Sequence, residues 1–381
     1  MITASKNDRR FHERGATALI IVIFSILVLM TISVGFMRLV VRDQQNTNDS
    51  ELSRGAYDSA LAGVEDGKRV LQSCLGDNMA AACSAIAAAQ CNTVHAAKVL
   101  SATDSNSNTD EVMIQNSTGT TGGFEQAYSC VKIERNTDDY QGSLSNDSSS
   151  VVPMNTTGPF TQVRISWFKN TNAATSYDFN TSINPLLPRQ TDWSASGKVR
   201  PSLLRVQLIQ FNKSSFKLDS FDENRDSGTI YLYPSSSTVG STSTSFAIDA
   251  RRSKTNNLIV PVRCSAVAQY VCSIVVNLPL PVDATNANQR QAYLRVTSLY
   301  SDADFMIEPI GTQFMDVEPA IDSTGRASDV YRRVRARVQL VNPVASQLFP
   351  RATVDITRNF CKAFAISDVD YIPGTCNYTQ P

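Results

Sequence analysis

An uncharged, apolar segment near the N-terminus limits what this chain can fold into more than any other feature of the sequence. Gly15 begins a run that contains no charged residue until Arg38. As an α-helix, residues 16–37 would be about 33 Å long, which matches the hydrocarbon thickness of a bilayer. A cleavable secretory signal has a shorter apolar core that is followed by small residues. The sequence therefore predicts one membrane-spanning helix over residues 16–37.

Positive charges in front of this segment predict its orientation. Arg9, Arg10 and Arg14 precede the apolar run, and basic residues favour the cytoplasmic side of a membrane. We therefore expect a single-pass protein with its N-terminus in the cytoplasm and its body outside the cytoplasmic membrane.

The helical pattern continues beyond the membrane segment. Polar residues 46–50 and the glycines at 55, 63 and 67 lower the local helix propensity, so a bend or break there is an open alternative. We predict a long helix over residues 16–72, of which half lies in the membrane and half packs on a domain. Apolar residues recur at the spacing of one helix face, at Tyr57, Leu61, Val64 and Leu71.

The start of this helix resembles a known protein family. Glu13, Arg14 and Gly15, followed by residues 16–20 and the long apolar helix, resemble the type III signal of type IV pilins and pseudopilins. Residues 57–65 are similar to the helix of PilX-type minor pilins and of the K-type pseudopilin. The resemblance implies that a prepilin peptidase removes a leader of residues 1–15 by cutting between Gly15 and Ala16. It also implies a bacterial location, first in the cytoplasmic membrane and then in a pilus or at the cell surface.

Two positions depart from the pattern of the family. The first mature residue would be Ala16, where phenylalanine or methionine is commoner, and the second departure carries an implication of its own. The fifth mature residue is Ile20, where major pilins have a glutamate that neutralises the N-terminal ammonium of a neighbouring subunit. An unpaired charge in an apolar bundle costs several kcal/mol. The K-type pseudopilin at the filament tip also lacks this glutamate, so the resemblance implies a tip or priming position.

The body of the chain changes pattern along its length. Alanine-rich residues 79–90 predict a short helix. Residues 101–160 are rich in Ser, Thr, Asn and Gly, which favours long loops with one strand at 127–134. We therefore assign residues 73–160 to a small helix with loops, and residues 161–381 to a β-rich exported domain.

Alternating apolar and polar residues predict strands in the β-rich part. Strands in succession after a long helix indicate an α+β fold with an antiparallel sheet. The pilin resemblance implies the same architecture, and the size of the body allows a second β module. The predicted strands cover residues 163–167, 204–208, 216–218, 229–233 and 330–340.

Eight cysteines form an even set in a body that we expect outside the cytoplasm, so disulfides are the expected state. Spacing favours a Cys264–Cys272 clamp across two strands and a Cys361–Cys376 loop. Cys83 can pair with the cysteine eight residues later only if a helix breaks between them; otherwise the first four cysteines pair in another way. Those four are Cys74, Cys83, Cys91 and Cys130.

Few residues indicate metal binding or catalysis. Asp222, Asn224 and Asp226 alternate as in calcium loops, but the glutamate of such loops is missing and turn chemistry explains the same residues. His95 is the single histidine after the leader, and no Cys-x-x-Cys pair supports a zinc site. We therefore expect no metal, no cofactor and no enzymatic activity.

Two further groups of charged residues remain open to interpretation. The first group is a stripe of arginines on a predicted strand; it is either a solvated strand face or a surface for DNA phosphates or a partner's carboxylates. The second group consists of closely spaced aspartates, which hydrolases also use. A net charge of zero gives no support for general nucleic-acid binding. The groups are Arg333, Arg335 and Arg337, and the pairs Asp302 with Asp304 and Asp368 with Asp370.

We expect a structural function for the chain, that of a minor pilin or pseudopilin-like subunit. Its partners are other pilin subunits, the prepilin peptidase and the inner membrane, with no specific nucleic acid and no small-molecule substrate. Ala18, Ser33 and Gly35 allow neighbouring helices to approach closely. The alternative is a single-pass, signal-anchored binding protein or adhesin that does not polymerise.

Overall fold

The structure is a computed structural model, and its described residues form two compact units. We name them the helix unit, residues 10–137 and 318–339, and the sandwich unit, residues 138–317. The described residues are 10–76, 79–91, 93–99, 105–106, 111–115, 125–170, 176–183, 185–186, 189–194, 199–212, 227–246, 259–283 and 290–339.

Four helices and fifteen strands make up the described part of the chain. The helices are α1 Arg10–Leu75, α2 Ala80–Ala88, α3 Thr93–Ala96 and α4 Gln190–Ser194. The first eight strands are β1 Ser105–Asn106, β2 Glu111–Gln115, β3 Gln126–Thr137, β4 Tyr140–Leu144, β5 Ser149–Pro153, β6 Phe160–Lys169, β7 Leu203–Asn212 and β8 Ser227–Ser235. The remaining strands are β9 Ser243–Ser245, β10 Ile259–Arg263, β11 Tyr270–Val282, β12 Arg290–Leu299, β13 Ala303–Pro309, β14 Phe314–Ala327 and β15 Val330–Arg337.

The long N-terminal helix is present and continuous. α1 contains 66 residues and is about 99 Å long. No proline occurs within it, so every backbone N–H after the first turn can donate within the helix. Neither the polar residues 46–50 nor the three glycines that follow interrupt it. The predicted order of one long apolar helix followed by a β-rich body is confirmed.

A five-stranded sheet packs on the second half of α1. Its strand order is β1-β2-β3-β14-β15, and the pairs β1–β2, β2–β3 and β14–β15 are antiparallel. The face of α1 that meets this sheet is lined by small residues at a spacing of three or four. These buried residues are Gly55, Ala56, Ser59, Ala60, Gly63, Val64 and Gly67.

The buried face of α1 differs from the face that the sequence predicts. Val64 and Leu71 are buried, but Tyr57 is 48% exposed and Leu61 is 37% exposed. The buried face is formed mainly by glycine, alanine and serine, because the sheet approaches the helix backbone too closely for large side chains. A Cβ at Gly67 would lie 2.8 Å from a methyl carbon of Ile321.

The sandwich unit consists of two five-stranded sheets with one shared apolar core. The strand orders are β10-β8-β7-β12-β5 and β4-β13-β6-β11-β9. Most neighbours are antiparallel, while β8–β10 and β9–β11 are parallel. Residues from both sheets meet in the core, among them Ile165 of β6 and Leu294 of β12. The indole N–H of Trp167 donates to the carbonyl of Ser202 at 2.9 Å.

The assignment of residues 101–160 mainly to loops differs from the structure. This stretch contains β1 to β5 and the first residue of β6. β3 alone extends over 12 residues, from Gln126 to Thr137. β4 and β5 contain few large apolar side chains, and both pair with strands from much later in the chain: β5 with β12 and β4 with β13.

The predicted domain boundary at 160/161 also differs from the structure. It falls inside β6 Phe160–Lys169, and the last strands of the described chain, residues 318–339, belong to the helix unit. The helix unit is formed by two segments that are far apart in the sequence, so a single boundary along the chain cannot separate the two units.

Candidate functional site

Residues 19–41 of α1 expose apolar side chains around the whole circumference of the helix. Among residues 19–41, the large apolar side chains are between 40% and 71% exposed. An amphipathic surface helix has one apolar stripe, whereas a helix that is apolar all round is normally buried in protein or membrane. α1 is the single described helix that is long and apolar enough to cross a membrane, and its best window has a mean hydropathy of 2.8.

The three hydroxyl groups among residues 19–41 are satisfied within the helix. Ser25 donates to the carbonyl of Val22 at 2.9 Å, Thr31 to Val28 at 2.8 Å, and Ser33 to Leu29 at 2.8 Å. Such bonds remove the need for an external partner. The segment can therefore enter a medium without water at no cost from unpaired hydroxyls.

The residues of the predicted processing site lie at the beginning of α1. Gly15 and Ala16 are helical, and the peptide bond between them lies in the second turn. Ile20 follows one turn later, and its side chain is 65% exposed. Gly35, which we expect to permit close helix approach, has no atom within 4 Å of the position that a Cβ would take.

The other half of α1 is fixed to the sheet by polar contacts as well as by packing. The hydroxyl of Tyr128 donates to the carboxylate of Asp66 at 2.5 Å. The guanidinium of Arg332 donates to the hydroxyl of Ser53 at 2.9 and 2.6 Å. In β15, Arg332 lies on the same side of the strand as Val334 and Ala336, and its bond to α1 accounts for a charged residue on this otherwise apolar side.

Three disulfides join six of the eight cysteines. Cys74–Cys83 ties the last turn of α1 to α2, Cys91–Cys130 ties the chain after α2 to β3, and Cys264–Cys272 connects the end of β10 with β11. The described residues include no free cysteine.

The cysteine pairings decide between the alternatives that the spacing left open. Cys83 and Cys91 do not pair with each other, although the chain does turn between them. α2 ends there because Ala89 takes a left-handed backbone with φ 51°. The turn directs Cys83 towards α1 and Cys91 towards β3. Cys361 and Cys376 lie outside the described residues.

A partly buried ion cluster joins the inner strands of the helix unit's sheet. The guanidinium of Arg326 donates to both carboxylate oxygens of Glu111, at 3.1 and 2.9 Å, and to Glu125 at 3.2 Å. The hydrogen bond with Glu111 raises the pKa of Arg326 above its ordinary value. This cluster fixes β2 and the start of β3 to β14.

The arginine stripe of β15 already has carboxylate partners. Arg333 forms a bidentate pair with Asp322, and Arg335 pairs with Glu134. Arg337 donates to Glu318 at 3.1 Å. The structure therefore favours the interpretation of a strand face with internal ion pairs over that of a phosphate-binding surface. The hydrogen bond from Arg333 lowers the pKa of Asp322.

The remaining candidate residues fall into two groups. Asp302 and Asp304 line a cleft in the sandwich unit. His95 lies in α3, and the described residues contain no cluster of three or more potential metal ligands. The candidate calcium residues Asp222, Asn224 and Asp226 and the pair Asp368 and Asp370 lie outside the described residues.

Sequence reasoning missed the small-residue face of α1. The spacing of Gly55, Gly63 and Gly67, in steps of eight and four residues, repeats the period of a helix face and could have signalled a close approach. The aromatic residues at the cleft gave no comparable signal, because they are separated in sequence.

No protein-family model matches this chain, and neither the curated proteins nor the solved structures contain a significant match.

Proposed function

We propose that this chain is a minor pilin or pseudopilin-like structural subunit of a type IV pilus or a related filament. The observation that carries the proposal is the division of α1 into two halves. Residues 19–41 expose apolar side chains on every side, while the half from residue 55 onward is packed on a sheet through small residues. One helix thus serves as a membrane segment and as the spine of an exported domain.

The apolar half must be covered in the working protein. Leaving an aliphatic side chain fully exposed to water, instead of burying it, costs a free energy of roughly 1.5–3 kcal/mol. A groove on a soluble partner covers one face of a helix, whereas residues 19–41 are apolar on all faces. A bilayer, and later a bundle of neighbouring helices, covers all of them. In such a bundle Ala18, Ser33 and Gly35 provide the small side chains that permit close contact.

The disulfides support an exported body. Disulfides persist in oxidising compartments and are rare in the cytosol. Six described cysteines are paired, and all of them follow the apolar half of α1 in the sequence. An N-terminus in the cytoplasm and a body outside agree with the basic residues before Gly15.

Position 20 supports a place at the filament tip or in the initiation of assembly. Ile20 offers no carboxylate to the N-terminal ammonium of a neighbouring subunit. A subunit without this carboxylate is unfavourable within the shaft, where an unpaired charge would be buried, and tolerable at an end. Immuno-electron microscopy of a tagged chain tests this position: label at filament ends is expected, and even labelling along the shaft would contradict it.

Substitution of the processing site tests the proposal itself. Gly15→Arg should leave an uncut precursor and alter piliation, because the peptidase requires the glycine in the family that the chain resembles. The control is Asn7→Arg, which adds the same charge to the leader away from the predicted cut and should be processed normally. A single-pass adhesin that never polymerises would tolerate both substitutions equally, and that outcome would favour the alternative function.

A further inference from the structure

A cleft in the sandwich unit combines an aromatic wall with charged groups of both signs. Its volume is about 310 Å³, at the lower end of the range for small-ligand sites. The side chains that matter for recognition come from three neighbouring strands and two connecting segments. They are Ser143, Phe168, Lys169, Tyr177, Asp302 and Asp304.

The strands hold the polar groups of this cleft in fixed positions. β4, β13 and β6 are adjacent in one sheet, and Asp304 lies opposite Ser143 in the β13–β4 pair. The carboxylate of Asp302 accepts a hydrogen bond from the backbone N–H of Asn146 at 2.7 Å. Asp304 and Ser143 therefore line the cleft from paired strands, and Asp302 lines it from the residue before β13.

The aromatic wall is also positioned by specific contacts. The rings of Phe168 and Tyr177 meet edge to face, with centroids 6.1 Å apart, and Tyr177 stacks on Phe179 at 5.8 Å. The Tyr177 hydroxyl donates to the side-chain oxygen of Asn170 at 2.9 Å. These contacts hold the Tyr177 ring at the cleft.

Backbone strain occurs at the same place. Phe168 has φ 63°, a left-handed conformation that costs a bulky residue roughly 1–2 kcal/mol. Strained residues of this kind cluster at functional sites, where the surrounding structure maintains them. Phe168 is the last residue but one of β6, and its unusual φ accompanies the presence of its ring in the cleft wall.

The combination of groups selects among ligand classes. Two carboxylates oppose the binding of an anion, and the ammonium of Lys169 opposes the binding of an amine or a quaternary ammonium. A sugar hydroxyl both donates and accepts hydrogen bonds, so it can use Asp302, Asp304, Lys169 and Ser143 together. The C–H face of a pyranose ring is apolar and packs on an aromatic ring.

We propose that this cleft binds a pyranose unit of a neutral oligosaccharide, with the ring against Tyr177 and Phe168 and its hydroxyls on the surrounding polar groups. The proposal is independent of the filament function, because it rests on residues of the sandwich unit alone.

An array of immobilised neutral hexose and N-acetylhexosamine oligosaccharides tests the proposal. The full chain should be presented in a detergent without a sugar headgroup, since a maltoside or glucoside would compete for the cleft. Binding of the wild-type chain to at least one neutral oligosaccharide is expected, with choline and inorganic phosphate failing to compete. The proposal is overturned if no oligosaccharide binds, or if choline displaces the bound one.

Three variants connect such binding to the cleft. Tyr177→Ala should weaken binding by about tenfold or more through loss of the aromatic face, whereas Tyr177→Phe keeps the ring and should retain most of it. Asp304→Ala removes an exposed carboxylate without touching the core, so it tests the cleft even if Tyr177→Ala fails to fold. Tyr331→Ala, an exposed tyrosine of the helix unit, is the matched control. Undiminished binding by both Tyr177→Ala and Asp304→Ala would contradict the proposal.

Discussion

Gly325 of β14 lies directly against Ala60 of α1. A Cβ at position 325 would lie well inside 3.0 Å of the backbone nitrogen of Ala60 and of the carbonyl oxygen of Ala56, closer than real Cβ atoms approach. The obstacle is helix backbone, which cannot rotate away as a side chain does. The distance between helix and sheet in the helix unit is therefore set by the absence of a side chain at this glycine.

We expect Gly325→Ala to destabilise the helix unit. The added methyl group forces α1 and β14 apart, and overpacking of this kind typically costs about 1–3 kcal/mol. Chemical denaturation of the purified chain, followed by circular dichroism, measures the loss. The matched control is Gly35→Ala, since the position of its Cβ is open and alanine favours the helix. Equal stability of Gly325→Ala and wild type would contradict the close packing.

The Arg326 cluster should contribute far more to stability than an exposed ion pair. Arg326 and Glu111 are only 13% and 17% exposed, so Arg326→Gln leaves a partly buried carboxylate without its partner, at an expected cost of about 3 kcal/mol. Arg164→Gln is the control, because the Arg164 side chain is 47% exposed in its pair with Glu308 and should cost no more than about 1 kcal/mol. If Arg326→Gln and Arg164→Gln lower the free energy of unfolding by similar amounts in urea denaturation, the prediction is wrong.

The pair between Arg333 and Asp322 should make stability depend on pH at the acidic end. The hydrogen bond from Arg333 lowers the pKa of Asp322 in the folded state, so the unfolded chain binds the proton more readily. The resulting stabilisation is fully present above the ordinary carboxyl pKa of about 3.9 and is lost as the pH falls through the lowered pKa. Arg333→Gln should therefore lower the free energy of unfolding at pH 6 and converge with wild type at strongly acidic pH.

A second background tests the assignment of this pH effect. In an Asp322→Asn chain the titrating carboxyl is absent, so Arg333→Gln should change stability by the same small amount at every pH. A pH-dependent difference that persists in this background would assign the effect to another group.

The disulfide pattern predicts specific cross-linked peptides. Digestion without reduction, followed by mass spectrometry, should find Cys74 joined to Cys83, Cys91 to Cys130, and Cys264 to Cys272. A peptide that links Cys83 to Cys91 would contradict the structure. Replacement of both Cys264 and Cys272 by serine should lower the free energy of unfolding by roughly 2.5 kcal/mol, as expected for a loop of this length in the chain-entropy model.

The sequence was sufficient for elements with a strong local pattern. The apolar run before Arg38 predicts α1, and alternation predicts β6, β7, β8 and β15. The alanine-rich stretch predicts α2. In each case the residues that form the element also carry its signal, so no distant contact is needed to recognise it.

Elements that depend on distant partners could not be predicted in the same way. β4 and β5 are short and polar, and they exist because β13 and β12 pair with them from more than 130 residues away. The helical spacing of Tyr57 and Leu61 predicts that they are buried. The sheet packs so close to α1 that small residues such as Gly63 and Ser59 form the buried face instead. Tyr177 and Asp304 line the same cleft although they are similarly far apart in the sequence, and no local sequence pattern predicts that they are close in space.

The N-terminal residue of the mature protein shows whether the chain is processed as a filament subunit. Intact-mass measurement and N-terminal sequencing of the chain purified from membranes or filaments determine it without any substitution. A filament subunit of the proposed type begins at Ala16, having lost residues 1–15. A chain that still carries Met1 and the charged residues before Gly15 would contradict the filament function and would leave a membrane-anchored protein that is never processed.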